Sequence, residues 1–576
     1  MTLASTNSVT AKQLREGLGS VFILGLADGS SARKIASQAA DGTTGSYLRG
    51  KDAFERAFQV LLALPGSSDS GKLCLKSTQG SVTQAGNIVA EWQSATADRA
   101  TLFDEMGATG PAILVVQVNG IDLTALWQQD QHGDPCVVKG GPGASLAFFE
   151  TTPGLSPDKK PDAANGLYQT LQGQAVSVKR RGNTSRWDSK INLCVLLDND
   201  TASGFPKQLN LLNCIRDPAY ERVRLSWFLM AAARCPAEPC AYAELTLNGA
   251  YHGTYVAMPS PDEYYFQTLF PDTQQRAVFR GQYGDIPGGA TLEYRGPNGV
   301  NYFTAGSNPS SRTYEPRLDT TDDMYEPLAQ FVDILCHNAK DVTTDAFAAD
   351  ALRVFDVEGF LRVMAVINLL GAWDNYYLNV QNYILHLSLD GAAPYASFCP
   401  YDMDSVLGVS WPSQKRNWQE KDALFRGTEL GNVVLIKGLL QNPLFRAYYC
   451  DFMSWFIDAR FTPEAIANRR SGLWSLLQQS VYLESQTPWG PPDTARPWTN
   501  DQVYRHAVLD QSLDASSGAV AGLQVLGIAG FVQTRRSTVA AQLQAEPRGH
   551  SGIDFNSNQW SLNRSEIPQT GILAAA

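Results

Sequence analysis

Cysteine is scarce and carries no pattern. The nine cysteines (Cys74, Cys136, Cys194, Cys214, Cys235, Cys240, Cys336, Cys399 and Cys450) are scattered over 576 residues with no CxxC pair. Neither a zinc module nor a complete disulfide framework is indicated, and buried thiols in a reducing compartment are expected. Histidine is scarcer still. None of the six (His132, His252, His337, His386, His506, His550) lies in an HExxH helix or a paired-ligand spacing, so zinc hydrolysis has little support. A GxSxG elbow and a Walker A loop are both missing. No stretch approaches the roughly 18 apolar residues of a membrane span. The start, MTLASTNSVTAKQLREGLGS, shows no basic segment followed by an apolar run, which leads to the expectation of a soluble, cytoplasmic protein. Positive charge is also short: 46 Lys and Arg stand against 57 Asp and Glu, a net charge of −11. That balance repels phosphate backbones, so no nucleic-acid partner is expected, and it favours basic protein partners. Without a basic groove, the 12 Trp and 22 Tyr do not form a stacking platform.

What is present is a globular composition, 44% apolar and 18% charged, in a chain long enough for two or more compact units or one large enzyme core. Residues 1–110 read as mostly helical, with Phe54, Phe58, Leu61 and Leu62 on one helical face. From 111 the texture becomes strand-like. Ala112–Val118, Ala144–Phe149, Ala175–Lys179 and Lys190–Leu197 read as strands, and the Pro/Asp/Gly-rich stretch 152–166 as a loop. Asn248-Gly249 between apolar runs is a strong hairpin signal. Tyr220, Val223, Trp227 and Met230 give a helical stripe. Helical spacing also marks Leu328, Phe331, Val332 and Leu335, and again Phe360, Val363, Met364, Ile367 and Leu370 up to a stop at Gly371. Tyr383–Leu389 alternates as a strand, Asp390-Gly391 turns, and Tyr395–Cys399 returns. Residues 430–480 and 515–545 read as helical, and 546–576 as a loose polar tail.

The order helix, Asp374, a loop with Asn379 and Asn382, a hairpin, then Asp402 and Asp404 suits phosphoryl transfer. That chemistry needs a carboxylate at the acceptor hydroxyl and oxygen ligands for a metal bridging the phosphates. Protein kinases place an Asn five residues after the catalytic Asp and reach a metal-binding Asp through a hairpin. Asp402 and Asp404, at i and i+2 of an extended segment, can face one metal together. Ordinary capping and turn chemistry is the competing reading of the same residues. Lys190 on its upstream strand is a candidate for the lysine such a site needs, although a lone strand lysine is usually a solvated edge residue. The patch Lys179, Arg180, Arg181 is either a surface stripe or an offset for phosphate charge, and GGPGAS at 140–145 reads as an ordinary turn.

Several separate blocks, in order, resemble the spore-coat protein H (CotH) kinases, a diverged protein-kinase-like family. RGNTSRW at 181–187 with Lys190 downstream resembles the family's RGN block. LNGAYHGTY at 247–255 is similar to its LNGxYxGxY hairpin, and AVFRGQYGD at 277–285 to a segment where Arg280 takes a lysine's place. WDNYYLNVQNYILH at 373–386 is similar to its DxYxxNxxNYxL loop, YDMDSVLG at 401–408 to its WDxD block, and FVQTRRSTVAAQL at 531–543 to its closing helix. The resemblance covers about 110–545.

It implies an ATP- and Mg²⁺- or Mn²⁺-dependent Ser/Thr protein kinase acting on a protein substrate, expected to be basic and Ser/Thr-rich. Asp374 becomes the catalytic aspartate. Asp402 and Asp404 become metal ligands, with Asn379 and Asn382 competing for the amide ligand, and Lys190 pairs the phosphates. Arg181 and Asn183 brace the nucleotide-side loop or are purely structural, and Arg280 lies on the nucleotide side. Departures are Pro259 where the family commonly has a glutamate, Tyr401 for the usual Trp, and Arg280 for lysine. The expected architecture is α/β (α+β): an atypical two-lobed kinase-like fold over 111–545, strand-rich at about 111–260 and helical at about 320–545. A helical extension is expected over 1–110. A non-catalytic CotH-fold adhesion protein and a transferase of another group, such as AMP, remain the alternatives.

Overall fold

A computed structural model describes seven strand segments between residues 22 and 92, then residues 113–128, 136–140, 145–151, 167–172, 176–182, 190–197 and 208–562, with short gaps at 338–339, 412–416, 427–433, 485–496, 516–519, 547–550 and 558–559. The early segments are β1 (Phe22–Leu26), β2 (Arg33–Gln38), β3 (Tyr47–Lys51), β4 (Ala57–Leu62), β5 (Leu73–Ser77), β6 (Val82–Thr83) and β7 (Ile88–Trp92). They form one antiparallel sheet in the order β6-β5-β4-β3-β2-β1-β7. This corrects the helical expectation for 1–110 over the described segments between 22 and 92. Phe58, Leu61 and Leu62 lie in β4, and Phe54 lies outside the described residues. Six residues of which five are apolar fit helical and strand periodicity alike, and the shortness of the run favours the strand.

The chain divides into two units. The first comprises Met1–Asn213, Pro239–Ser260 and Ser475–Arg496, and the second Cys214–Glu238, Pro261–Trp474 and Pro497–Ala576. Beyond the N-terminal sheet, the first unit contains β8 (Ile113–Asn119), β9 (Val138–Lys139), β10 (Ser145–Thr151), β11 (Leu167–Gln172), β12 (Val176–Arg180), β13 (Leu193–Leu197), β14 (Gln208–Leu212), β15 (Ala241–Leu247) and β16 (Ala250–Pro259). These make a nine-stranded sheet, order β11-β10-β8-β15-β16-β14-β13-β12-β9, in which only β8 and β15 pair in parallel. Val116, Val118, Val178, Leu193, Val195, Leu211, Leu245 and Tyr255 belong to its core. The β15–β16 turn is the expected Asn248-Gly249, both at positive φ (49° and 80°). The Asn248 side chain also brackets Ile121, accepting from its N–H and donating to its carbonyl. Arg180 is buried, lies over Trp127 and donates to the Trp127 carbonyl, so that part of the basic patch is structural.

The second unit is mixed α+β. Its four-stranded sheet runs β18-β17-β19-β20, from β17 (Arg276–Gly281), β18 (Tyr314–Arg317), β19 (Tyr383–Ser388) and β20 (Tyr395–Pro400). The turn between β19 and β20 is braced by Asp390, which accepts from the Gln274 and Gln275 N–H groups at 2.8 and 2.7 Å. The helix Val357–Leu370 is buried along nearly its whole length. Asp356 caps its start by accepting from Gly359 N–H, and Gly371 ends it at φ 60°. Helices Arg222–Ala232, Tyr325–Cys336, Asp345–Val354, Pro443–Ala459 and Ile528–Leu543 also belong to this unit, while Pro463–Glu484 begins in it and ends in the first. The loose tail expected from 546 needs correction over 551–562. Phe555, Trp560 and Leu562 are buried there, with Phe555 and Trp560 packed on Phe452 and Trp455. Two large aromatics in a polar stretch outweigh its average composition. Among the described residues no helix is long and apolar enough to cross a membrane.

Candidate functional site

In the second unit the sequence-predicted carboxylates converge through backbone ties rather than strand geometry. After Gly371, the Trp373 indole N–H donates to the Val409 carbonyl at 2.8 Å, and Leu407 N–H donates to the Leu370 carbonyl at 2.7 Å. These bonds fold segment 402–409 back onto the end of the buried helix. Asn375, fully buried, stitches the loop to the hairpin. Its Oδ1 accepts from Tyr376 N–H, and its Nδ2 donates to the Asn382 and Tyr401 carbonyls at 2.8 and 3.3 Å. Arg222, paired with Asp217 at 2.6 Å, donates to the Leu407 carbonyl from behind.

Asp374 sits at the centre of this loop. Its Oδ1 accepts from Asn379 Nδ2 at 2.8 Å and Gln381 Nε2 at 2.6 Å, while Asn382 Nδ2 donates to the Asp374 backbone carbonyl at 2.8 Å. Among the described residues nothing donates to Oδ2. Burial raises the Asp374 pKa above the usual carboxylate range; the two amide bonds oppose that, the Asp402 charge adds to it, and Arg216 offsets part. Asp404 is pushed up to about 7, by burial first and then by the charges of Asp402 and Asp374, with Arg216 opposing. Its side chain keeps 35% exposure and lies 3.9 Å from Arg216 Nη1, so water screens part of that crowding.

The extended i, i+2 geometry expected for Asp402 and Asp404 is not what brings them together: Asp402 is left-handed, at φ 53°. Val380 (49°), Asn382 (57°) and Leu407 (50°) share this conformation. For a β-branched residue such as Val380 it is an outlier, the kind of strain that collects at functional sites. Side-chain periodicity cannot see such turns.

A divalent cation suits this donor set. The Asp402 charge adds to the burial that raises the proton affinity of Asp404, a crowding that a cation would relieve, and hard oxygen ligands favour Mg²⁺ or Mn²⁺. Among the described residues no three His, Cys, Asp or Glu side chains form a ligating group, so a further protein ligand would be a neutral oxygen, such as an Asn amide oxygen. Asn379 and Asn382 both commit their nitrogens to Asp374, which leaves the choice between their oxygens open.

Two departures noted in the sequence meet in space. The Arg280 guanidinium lies 4.9 Å over the Tyr401 ring and 3.7 Å from Glu315, and β17 places Arg280 opposite Glu315 on β18.

In the first unit, Lys190 precedes β13 rather than lying on a strand, and it is wholly buried rather than a solvated edge residue. Asn213 locks this approach: its N–H donates to Asn192 Oδ1 and its Nδ2 to the Lys190 carbonyl. Lys190 Nζ is 2.7 Å from Glu484 Oε1, donates to the Thr254 carbonyl and sits 4.4 Å over the Tyr255 ring. Glu484 Oε2 accepts from Thr254 N–H at 2.7 Å. Neither charged side chain is exposed at all. Burial and the Lys190 charge lower the nearby His252 pKa to about 4. Gly253, at φ 105°, makes the pair possible, because a Cβ there would stand 2.8 Å from Glu484 Cδ. Arg181 is half-buried, its N–H donating to the Asn192 carbonyl, and Asn183 lies outside the described residues.

Sequence reasoning missed Glu484, Gln381 and Arg216. It sought an acid near Pro259, whereas Glu484 arrives from 294 residues downstream. The glycine of the hairpin block was the available signal.

A family model described as CotH kinase protein matches residues 178–508. The chain is also similar to two proteins of Rhizopus delemar, Invasin CotH2 and Invasin CotH3. It is 22% identical to each, over 61% and 60% of its own length and 58% and 56% of theirs. The chain thus spans under three fifths of the length of these curated relatives. The ordered blocks and the extent of the match place the chain in the CotH kinase protein family.

Proposed function

We propose that this chain is an ATP- and divalent-metal-dependent protein kinase that phosphorylates Ser or Thr of a protein substrate. The observation that carries the reading is Asp374: one carboxylate oxygen is clamped by two amides while the other receives no hydrogen bond from a described residue. A carboxylate fixed in orientation, with one oxygen available and its pKa raised, suits a group that orients an acceptor hydroxyl and takes its proton. Asp402, Asp404 and one Asn amide would hold the metal, which when bound would neutralise phosphate charge. Lys190, oriented by Glu484, would pair the nucleotide's phosphates, as the lysine–glutamate pair of protein kinases does. The two-lobed kinase-like arrangement belongs to this proposal.

Incubating the purified chain with γ-labelled ATP, Mg²⁺ or Mn²⁺, and a basic Ser/Thr-rich protein tests it. Label on the acceptor, with the mass of a phosphate rather than of AMP, is the expected result. Absence of any nucleotide-dependent transfer or hydrolysis would refute it. The alternative is a CotH-fold binding protein without turnover, favoured by the name invasin carried by both relatives. Metal-dependent ATP consumption separates the two.

A further inference from the structure

The segment 282–313 separates two strands that are direct neighbours, Gly281 pairing with Tyr314. A connection this long within a compact unit usually has its own work. It is fixed at both ends. Gln282 N–H donates to the Thr313 carbonyl, and the Asp285 carboxylate accepts from the Thr304 and Thr313 N–H groups at 2.7 and 2.8 Å. Its middle is fastened to the Asp374 loop. Tyr383 Oη donates to the Ala290 carbonyl at 2.8 Å, Tyr376 Oη to the Thr291 carbonyl at 3.0 Å, and Ala290 N–H to the Val380 carbonyl at 3.1 Å.

Between the anchored Gln282 and Asp285 stands Tyr283, 58% exposed. Its ring lies against Gly289, where a Cβ would stand 3.3 Å from the ring and 2.8 Å from Val380 Cγ2. The ring and the Asp374 loop therefore approach one another through a position that has no side chain. Burial first, and then the nearby Asp374 charge, hold the Tyr283 phenol above its usual pKa. An exposed aromatic on a firmly held loop contributes little to the core; on a segment fastened to the Asp374 loop, it is available to contact whatever approaches that carboxylate.

We infer that Tyr283 positions the acceptor: a Ser/Thr-containing peptide segment lies against its ring, which brings the hydroxyl to Asp374 Oδ2. This rests on the kinase reading. The chemistry of the contact is that of an aromatic face, which packs on the side chain next to the acceptor residue.

The test uses the full chain, ATP, Mn²⁺ and a synthetic peptide of serines spaced by lysine and glycine. Tyr283→Ala is expected to raise the peptide KM about tenfold, with a smaller change in kcat and with ATP affinity by calorimetry within about twofold of the parent. Tyr283→Phe should restore most of the lost affinity, since the ring makes the contact. Val300→Ser, exposed on the same segment, should match the parent. An unchanged peptide KM in Tyr283→Ala overturns the inference while leaving the kinase reading intact, as does an equal loss of ATP binding. A parent protein that neither transfers nor hydrolyses phosphate overturns both.

Discussion

Replacing Gly253 by alanine tests whether the buried Lys190–Glu484 pair is built as described. The new Cβ would meet Glu484 Cδ at 2.8 Å and Cγ at 2.9 Å, on a residue held at φ 105°. Backbone strain at such a φ costs about 1–3 kcal/mol. Displacing the carboxylate also takes its counter-charge from the buried ammonium, and removing one partner of a buried pair costs about 3–5 kcal/mol. Glu484 can yield partly by rotation, so a total near 2–5 kcal/mol is expected. Glu484→Ala removes the obstruction, and in that background Gly253→Ala should cost only the strain. The two substitutions are therefore expected to be non-additive by about 1–3 kcal/mol. Hydrogen–deuterium exchange over Ala241–Leu247 and Ala250–Pro259 reads the opening free energy of the hairpin in all four proteins. Additive costs within about 0.5 kcal/mol would refute the contact.

Further expectations concern the second unit. Asp374→Asn should keep ATP–metal binding by calorimetry while lowering turnover by about 10²-fold or more, whereas Asp402→Ala should lose most metal-dependent nucleotide binding; equal loss of binding in both would show Asp374 to be a ligand or a cap. Asn375→Ala removes the bonds to Tyr376, Asn382 and Tyr401 and should cost about 2–4 kcal/mol by leaving buried backbone groups unpaired, read as a lowered thermal midpoint; an unchanged midpoint would contradict the stitching role. His386 stacks on Phe270 at 4.1 Å, its Nε2 is buried without a partner among the described residues, and burial lowers its pKa to about 4. The unfolded chain then binds a proton that the folded chain refuses, so stability is lost as pH falls from about 6.5 towards 4. His386→Phe should remove this loss, a gain growing to about 3 kcal/mol at the acid end; parallel stability–pH curves for the two proteins would refute it.

Much of the second unit was legible because its elements are local. The helix ending at Gly371 and the strands around Asp390-Gly391 each announce themselves within about fifteen residues, as does Asn248-Gly249 in the first unit. The carboxylates were found by chain order and block resemblance, and Asp374, Asn379 and Asn382 do meet. What stayed hidden depends on distance along the chain or on rare backbone states. Nothing near Lys190 points to residue 484, and no period predicts a left-handed Asp402 or Val380. The strands of 22–92 were misread because short apolar runs satisfy both periods, and a loose tail was inferred from composition that two buried aromatics override.

The ion pair between Lys190 and Glu484 also sets an order of events during synthesis. The first unit takes its strands from residues up to 213 and from 239–260, yet the carboxylate that lies 2.7 Å from its buried ammonium comes only with residue 484. At ribosomal rates of about 5–20 residues per second, the interval from the end of the hairpin to that glutamate is roughly 10–45 seconds. During that time the nine-stranded sheet can pair while Lys190 still lacks the Glu484 carboxylate. The unit begun first is thereby completed late, and a ribosome halted before the helix Pro463–Glu484 emerges would hold a sheet whose Lys190 has yet to meet Glu484.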